Sequence, residues 1–436
     1  METRRRDWRT ILLGIASLVG GFFLFLIAAF VIIFAVLGLQ NKTFAQDAPP
    51  LLDAIILSSA LTLIGAVFLV TSYYSLQRLR GKEVTVSTPK VLKIWQGFLL
   101  FFVWIGASIL AQVFFNNQIL KWFAPLLYLL AIATPVYFFI RLASGGLLNG
   151  SRLRAWGALF TTMSFGTLFS ALAEIVLVVI GLVGAGVYFG LHQEQATAFK
   201  QLMEQLTNAS NMDKMMNLIG PWLTNPLVVL LALVFFSGFT PLIEETAKSA
   251  AIWMAFDRLD SPAQGFVIGA LSGAGFGLFE SLLASVTPDA GWASTLLIRG
   301  GSTMMHIMTA SLTGWGIASF RARKSFGHLI GGYSLAMLLH STWNACVVLI
   351  VAGGLRIASH AGQPDVLGAL IMALNLGLLL ILFLAIPVIL GSMNWKFRTS
   401  PSLTPTAPSA KNGGQVEHLP HFLPSEENGG GKEGVQ

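Results

Sequence analysis

Pro241-Leu242-Ile243-Glu244-Glu245-Thr246-Ala247-Lys248 sits within an otherwise apolar run from about Asn225 to Phe256. Two adjacent carboxylates and an ammonium stand where a bilayer-crossing helix belongs. An ionisable group at the centre of such a helix costs about 3 kcal/mol or more, so its default reading is functional. Three later apolar segments each bring a further group: Glu280, His306, and the pair His340 and Asn344. The pattern predicts helices that converge on one polar site inside the membrane.

The composition agrees with that reading. Of 436 residues, 55% are hydrophobic and only 11% charged, against about a quarter charged in soluble domains. Backbone polar groups in lipid must be satisfied within the segment, and the short alternating segments of a membrane β-barrel are missing. The expected fold class is therefore all-α, a polytopic integral membrane helix bundle with about ten transmembrane helices. The net charge of +7 is no nucleic-acid signature, because the basic residues lie in the connections. The single cysteine, Cys346, excludes an intramolecular disulfide and any Cys-based metal cluster. The run from Ile11 to Leu39 is too long for a cleavable signal and reads as a retained first helix.

Taken in order, residues 1–10 form a cytoplasmic tail with Arg4, Arg5, Arg6 and Arg9. Residues 11–191 hold about five helices, 192–222 an extracytoplasmic connection expected as an amphipathic helix, and 223–352 the core with the polar motifs. Residues 353–391 hold the last helix, and 392–436, rich in Ser, Pro, Gly and Asn, are expected to form a disordered cytoplasmic tail. Alternating the connections puts nearly every Lys and Arg cluster on one side, with both termini cytoplasmic. Asn41-Lys42-Thr43 fits a glycosylation pattern too short to carry weight.

Counting from each cytoplasmic helix end at about 1.5 Å per residue places Glu244 about 20 Å deep, Glu280 about 24 Å, His306 about 22 Å and His340 about 16 Å. That is one layer slightly outside the midplane of a core about 30 Å thick. Asn225 to Phe256 would make about 48 Å of helix, too long for the core, so a break is expected at Gly238 and Pro241, with the upstream half projecting outward or folding back. Gly269, Gly273 and Gly277 form a stripe that suits close helix packing. Arg299, Ser302, Thr303 and His306 share a face, and His340 and Asn344 lie one turn apart.

A carboxylate in a low-dielectric site can take a proton from water. Glu244 and Glu245 point about 100° apart, so one would activate water while the other pairs with Lys248 or a histidine. His306 and His340 could orient the glutamate or shuttle protons, and Asn344 could donate to an oxyanion. The competing readings are bridges that only hold the bundle, and a proton- or ion-coupled transporter, which also uses buried Glu, Lys and His. Zinc is chemically open, with His306, His340, Glu245 and Glu280 as ligands, although no His-Glu-x-x-His occurs. Glu174, Asp53 and Asn375 read as packing or interface residues, and Cys346 as a small buried hydrophobe.

Glu244-Glu245-x-x-Lys248, Gly275-Phe276-Gly277-Leu278-Phe279-Glu280, Arg299 through His306, and His340-x-x-x-Asn344 together resemble the successive motifs of the PrsW family. Those are multi-pass intramembrane endopeptidases related to CAAX-processing and bacteriocin-processing membrane proteases. The resemblance spans about Pro241 to Asn344. It implies a peptidase in which Glu244 or Glu245 activates water, His306 and His340 complete the site, Asn344 assists the oxyanion, and Lys248, Glu280 and Arg299 support them. It also implies a membrane-anchored protein substrate such as an anti-sigma factor, a bacterial inner membrane location, and either no cofactor or a divalent metal. A catalytically silent scaffold is the remaining alternative.

Overall fold

The computed structural model describes residues 7–41, 48–82, 88–148, 150–359 and 364–400. All of them fall in the first of the two units into which the chain divides, Met1–Pro405. Among them the regular structure is helical: α1 (Trp8–Gln40), α2 (Leu51–Leu79), α3 (Ile94–Phe115), α4 (Leu120–Ser144), α5 (Arg152–Leu191), α6 (Gln193–Thr207), α7 (Met212–Leu223), α8 (Pro226–Met254), α9 (Pro262–Ala284), α10 (Trp292–Arg323), α11 (Phe326–Ser359) and α12 (Val366–Thr399). Nine of these are long and apolar enough to cross a membrane, all except α6, α7 and α10. The chain is an all-α polytopic membrane bundle.

α10 is the tenth long segment, and its shortfall in hydrophobicity has a structural reason. Every residue from Gly300 to Gly314 is buried, so protein rather than lipid surrounds it. Ser302, Thr303, His306, Thr309 and Ser311 find hydrogen-bond partners there and need no apolar face. The close neighbour is α9, and glycine makes the approach. A methyl group on Gly265, Gly269 or Gly273 would run into the backbone carbonyls of Gly314, Ala310 and His306 respectively. The two four-residue stripes therefore mesh antiparallel, turn against turn. This seats the backbone of His306 directly on Gly273, with Thr303 against Gly277.

The expected break in α8 takes a different form. The helix continues through a π-helical stretch, Leu233–Phe239, in which Thr240 N–H bonds to the carbonyl of Phe235 rather than Phe236. Pro241 supplies the reason. In the widened register the carbonyl of Phe236 would accept from residue 241, whose ring nitrogen carries no hydrogen. The side chain of Asn344, on α11, donates to that carbonyl instead, at 2.8 Å. Pro241 thus adds a turn of unusual register and leaves the helix unbroken.

Basic residues from several distant segments gather at one end. Asp7 pairs with Arg78 at 3.1 Å and Arg258 at 3.8 Å, and Arg9 with Asp257 at 3.8 Å. Arg321 bonds to the carbonyl of Phe256 there. At the other end, 192–222 forms two helices, α6 and α7, rather than one amphipathic helix, because Asn208 closes the first and Asn211 caps the second. The last helix runs on to Thr399, past Ser392 where the sequence reading begins the tail, since Asn394 anchors it through bonds to the carbonyls of Ala143 and Gly145. Arg4 to Arg6, Lys42 and Thr43 of the glycosylation pattern, and the tail from 401 lie outside the described residues.

Candidate active site

Four helices, α8, α9, α10 and α11, bring the polar groups together. On α8, Glu244 and Glu245 lie four and three residues before Lys248, so a single ammonium reaches both. Lys248 Nζ donates to Glu245 Oε1 at 2.8 Å and to Glu244 Oε2 at 3.3 Å. It also contacts His306 Nδ1, from α10, at 2.7 Å, and stands 4.5 Å above the ring of Phe276. Lys248 and Glu245 are fully buried, and Glu244, His306 and His340 nearly so. An ammonium offers only donors, so Nδ1 of His306 must accept, and its proton sits on Nε2. That Nε2–H points to Glu280 Oε2 at 2.8 Å. Glu280 in turn forms an ion pair with Arg299 at 2.7 Å.

His340, from α11, is oriented in the mirror sense. Its Nδ1 donates to Glu245 Oε1 at 2.8 Å, which leaves the Nε2 lone pair facing Glu244 Oε2 at 3.6 Å. Glu245 Oε1 also accepts from Thr309 Oγ1 at 2.9 Å. Each histidine therefore has a carboxylate fixing one nitrogen, Glu280 behind His306 and Glu245 behind His340, and turns the other nitrogen toward Glu244.

A cavity of about 560 Å³ opens over this cluster. Glu244, Glu280, Arg299, Ser302, His306, His340 and Asn344 form its polar floor, and apolar residues such as Val228, Val347 and Val351 form its walls. Glu245 and Lys248 do not line it. The neighbouring glutamates are thereby separated, with Glu244 at the cavity and Glu245 behind the histidine. All eight residues that the sequence singles out meet within this one network or on its cavity. Two others join them. Glu174, on α5, lines the cavity and accepts from Ser170 at 3.1 Å, although the sequence reads it as a packing residue. Thr309 holds Glu245; its one sequence signal is its place three residues after His306, on the same helix face.

The donor set suits a divalent cation. One ligand atom each from Glu244, His306 and His340 lies within 4.8 Å of the others. Bonds of about 2.0–2.1 Å in a tetrahedral site set neighbouring ligand atoms roughly 3.4 Å apart. The separations here are 3.6 Å from His340 Nε2 to Glu244 Oε2 and 3.7 Å from His306 Nδ1 to the same oxygen. The carboxylates behind both histidines are the outer partners that metal-binding imidazoles usually have. Glu245 and Glu280, which the sequence offers as ligands, bond to the histidines' other nitrogens, and the group of mutually close ligand atoms contains Glu244 with His306 and His340. Lys248 is the competing feature, because its ammonium already touches Nδ1 of His306 and Oε2 of Glu244.

Compared with known protein families, residues 153–379, just over half of the chain, match the family described as PrsW family intramembrane metalloprotease. None of the curated proteins and none of the solved structures compared with the chain matches it.

Proposed function

Because the chain belongs to the PrsW family of intramembrane proteases, we propose that it hydrolyses membrane-anchored proteins at Glu244, with water activated between that carboxylate and His340. The observation that carries this reading is the 3.6 Å gap between Glu244 Oε2 and His340 Nε2, both on the cavity floor and both held from behind. A water placed there can donate to both acceptors.

The substrate segment enters from the apolar part of the cavity and lays its scissile carbonyl over Glu244. The water oxygen attacks the carbonyl carbon as its proton passes to Glu244. Negative charge then develops on the former carbonyl oxygen, within reach of donors on the floor. Asn344 has two amide hydrogens and spends one on Phe236, leaving the other for that oxygen, with Arg299 beside it. As the tetrahedral species collapses, the carbon–nitrogen bond breaks and the leaving amine takes the proton from Glu244. Lys248 neutralises Glu245, so the buried pair of carboxylates carries less mutual repulsion and His340 keeps its orientation. Glu244, His306 and His340 would hold a divalent cation such as zinc, which when bound polarises the carbonyl and acidifies water.

Under the positive-inside rule the basic end is read as cytoplasmic, and on that reading the cluster's cavity opens toward the extracytoplasmic side. This supports a bacterial inner membrane protein with cytoplasmic termini that cuts single-span substrates, anti-sigma-factor-like ones included, slightly outside the midplane. The deciding assay is cleavage of a panel of single-span membrane substrates by the purified full chain, each variant with and without a chelator. Glu244→Gln abolishing cleavage in a folded protein supports the assignment; full activity in that variant ends it. Loss of wild-type cleavage on chelation, restored by zinc, makes the enzyme metal-dependent.

A further inference from the structure

A second cavity lies at the arginine-rich end, beside the last turns of α8. It is small, about 100 Å³, and is framed by α1, α2, α5 and α8. Arg9, Arg78, Arg154 and Arg258 line it, and apolar residues, the partly exposed Leu13 and the exposed Met254 among them, form one wall. Four guanidinium groups from four segments that lie far apart in sequence thus converge on one opening.

Their charges are only partly matched. Asp7 bridges Arg78 and Arg258, and Asp257 pairs with Arg9. Arg154 has one side-chain hydrogen bond among the described residues, at 3.2 Å to the neutral amide oxygen of Gln264. Asp260 lies near enough to favour the charge of Arg154, without a direct ion pair to any of the four among the described residues. The rim therefore carries more positive than negative charge and retains unused planar donors of the kind that fit phosphate oxygens.

We infer that this pocket binds the phosphate of an anionic phospholipid, with the arginines on the headgroup and an acyl chain along the apolar wall. Each part of the shape supports this occupant. The volume fits a phosphate and its ester oxygens rather than a peptide. The rim lies at the basic ends of membrane-crossing helices, and basic pockets between such helices are suited to lipid headgroups. A free phosphate would satisfy the arginines but leave the apolar wall uncovered. Ala251, Met254 and Ala255 contribute to the pocket from α8, so a lipid held there braces the end of the helix that carries Glu244.

The test uses the full chain in nanodiscs of phosphatidylcholine, with and without phosphatidylglycerol, read by thermal unfolding and by native mass spectrometry of retained lipid. Phosphatidylglycerol should raise the wild-type Tm and survive as a retained lipid. Arg154→Gln should weaken its apparent binding about fivefold, and Arg154→Lys should recover part of that loss. If Arg154→Gln does not fold, Arg9→Gln at the exposed rim carries the same expectation. Equal stabilisation by both nanodiscs, or an unchanged phosphatidylglycerol shift in a folded arginine variant, overturns the site. Inorganic phosphate reproducing the whole shift in phosphatidylcholine overturns the lipid assignment in favour of a soluble anion.

Discussion

Glycine means opposite things in α9 and in α5. On α9, Gly265, Gly269 and Gly273 each lie against a backbone carbonyl of α10, and nothing larger than hydrogen fits. On α5, Gly181, Gly184, Gly186 and Gly190 have no neighbouring atom within 4 Å of where a methyl would stand. The apolar windows of the two helices differ in the same way, 83% buried for α9 and 6% for α5. Lipid tails resemble leucine, so in a membrane an apolar face gives little reason for a helix to move inward. Small residues that permit backbone contact, and polar groups that find partners, supply that reason. The interior of this protein is accordingly its more polar part, and the Glu–Lys–His cluster sits in its tightly meshed region.

The sharpest test of that contrast separates chemistry from support inside the meshed region. Glu244→Gln should lower kcat by about 10²- to 10⁴-fold, the usual weight of a general base, while leaving the Tm near that of wild type. Lys248→Met should act on the fold instead. It strands Glu245 without its cation, and breaking such a buried pair costs about 3–5 kcal/mol. A thermal unfolding scan in detergent that shows no loss would mean Glu245 is not held as an ion. Gly273→Val should cost about 1–3 kcal/mol through overpacking and lower activity as well, because it displaces the backbone of His306. Asn344→Ala should cost about 1 kcal/mol, the value of its bond to the Phe236 carbonyl, and should also reduce kcat if its second amide hydrogen meets the oxyanion. Gly184→Ala, on the open face of α5, should change the Tm by no more than about 0.5 kcal/mol equivalent. A large effect there would show that α5 packs against a partner, and the comparison with α9 would fail.

The sequence legibly marks the participants. Hydrophobic runs and basic connections were enough for ten long segments. Carboxylates, histidines and a lysine inside them were enough for a site, since no cheap structural alternative explains so many ionisable groups in lipid. The 100° step between adjacent helical residues requires Glu244 and Glu245 to differ, but it does not say which one faces the cavity. That depended on where α10 and α11 stand around α8, which no local spacing encodes. Glu174 was illegible for the same reason. Its helix turns toward the cavity only through packing between segments distant in sequence.

Pro241 shows the boundary between the two kinds of information most clearly. Its missing N–H, fixed by residue type alone, guarantees one unsatisfied carbonyl in the preceding turn. Sequence determined that a defect must exist beside Glu244 and that the chain is a helical membrane bundle with intramembrane acid, base and cation. The tertiary structure decided that the defect would be a π turn capped by Asn344. It also decided that Lys248 would join two glutamates to a histidine, and that four arginines from distant segments would share one pocket. These are contacts between helices, and their geometry is set by which backbones can approach closely enough to touch.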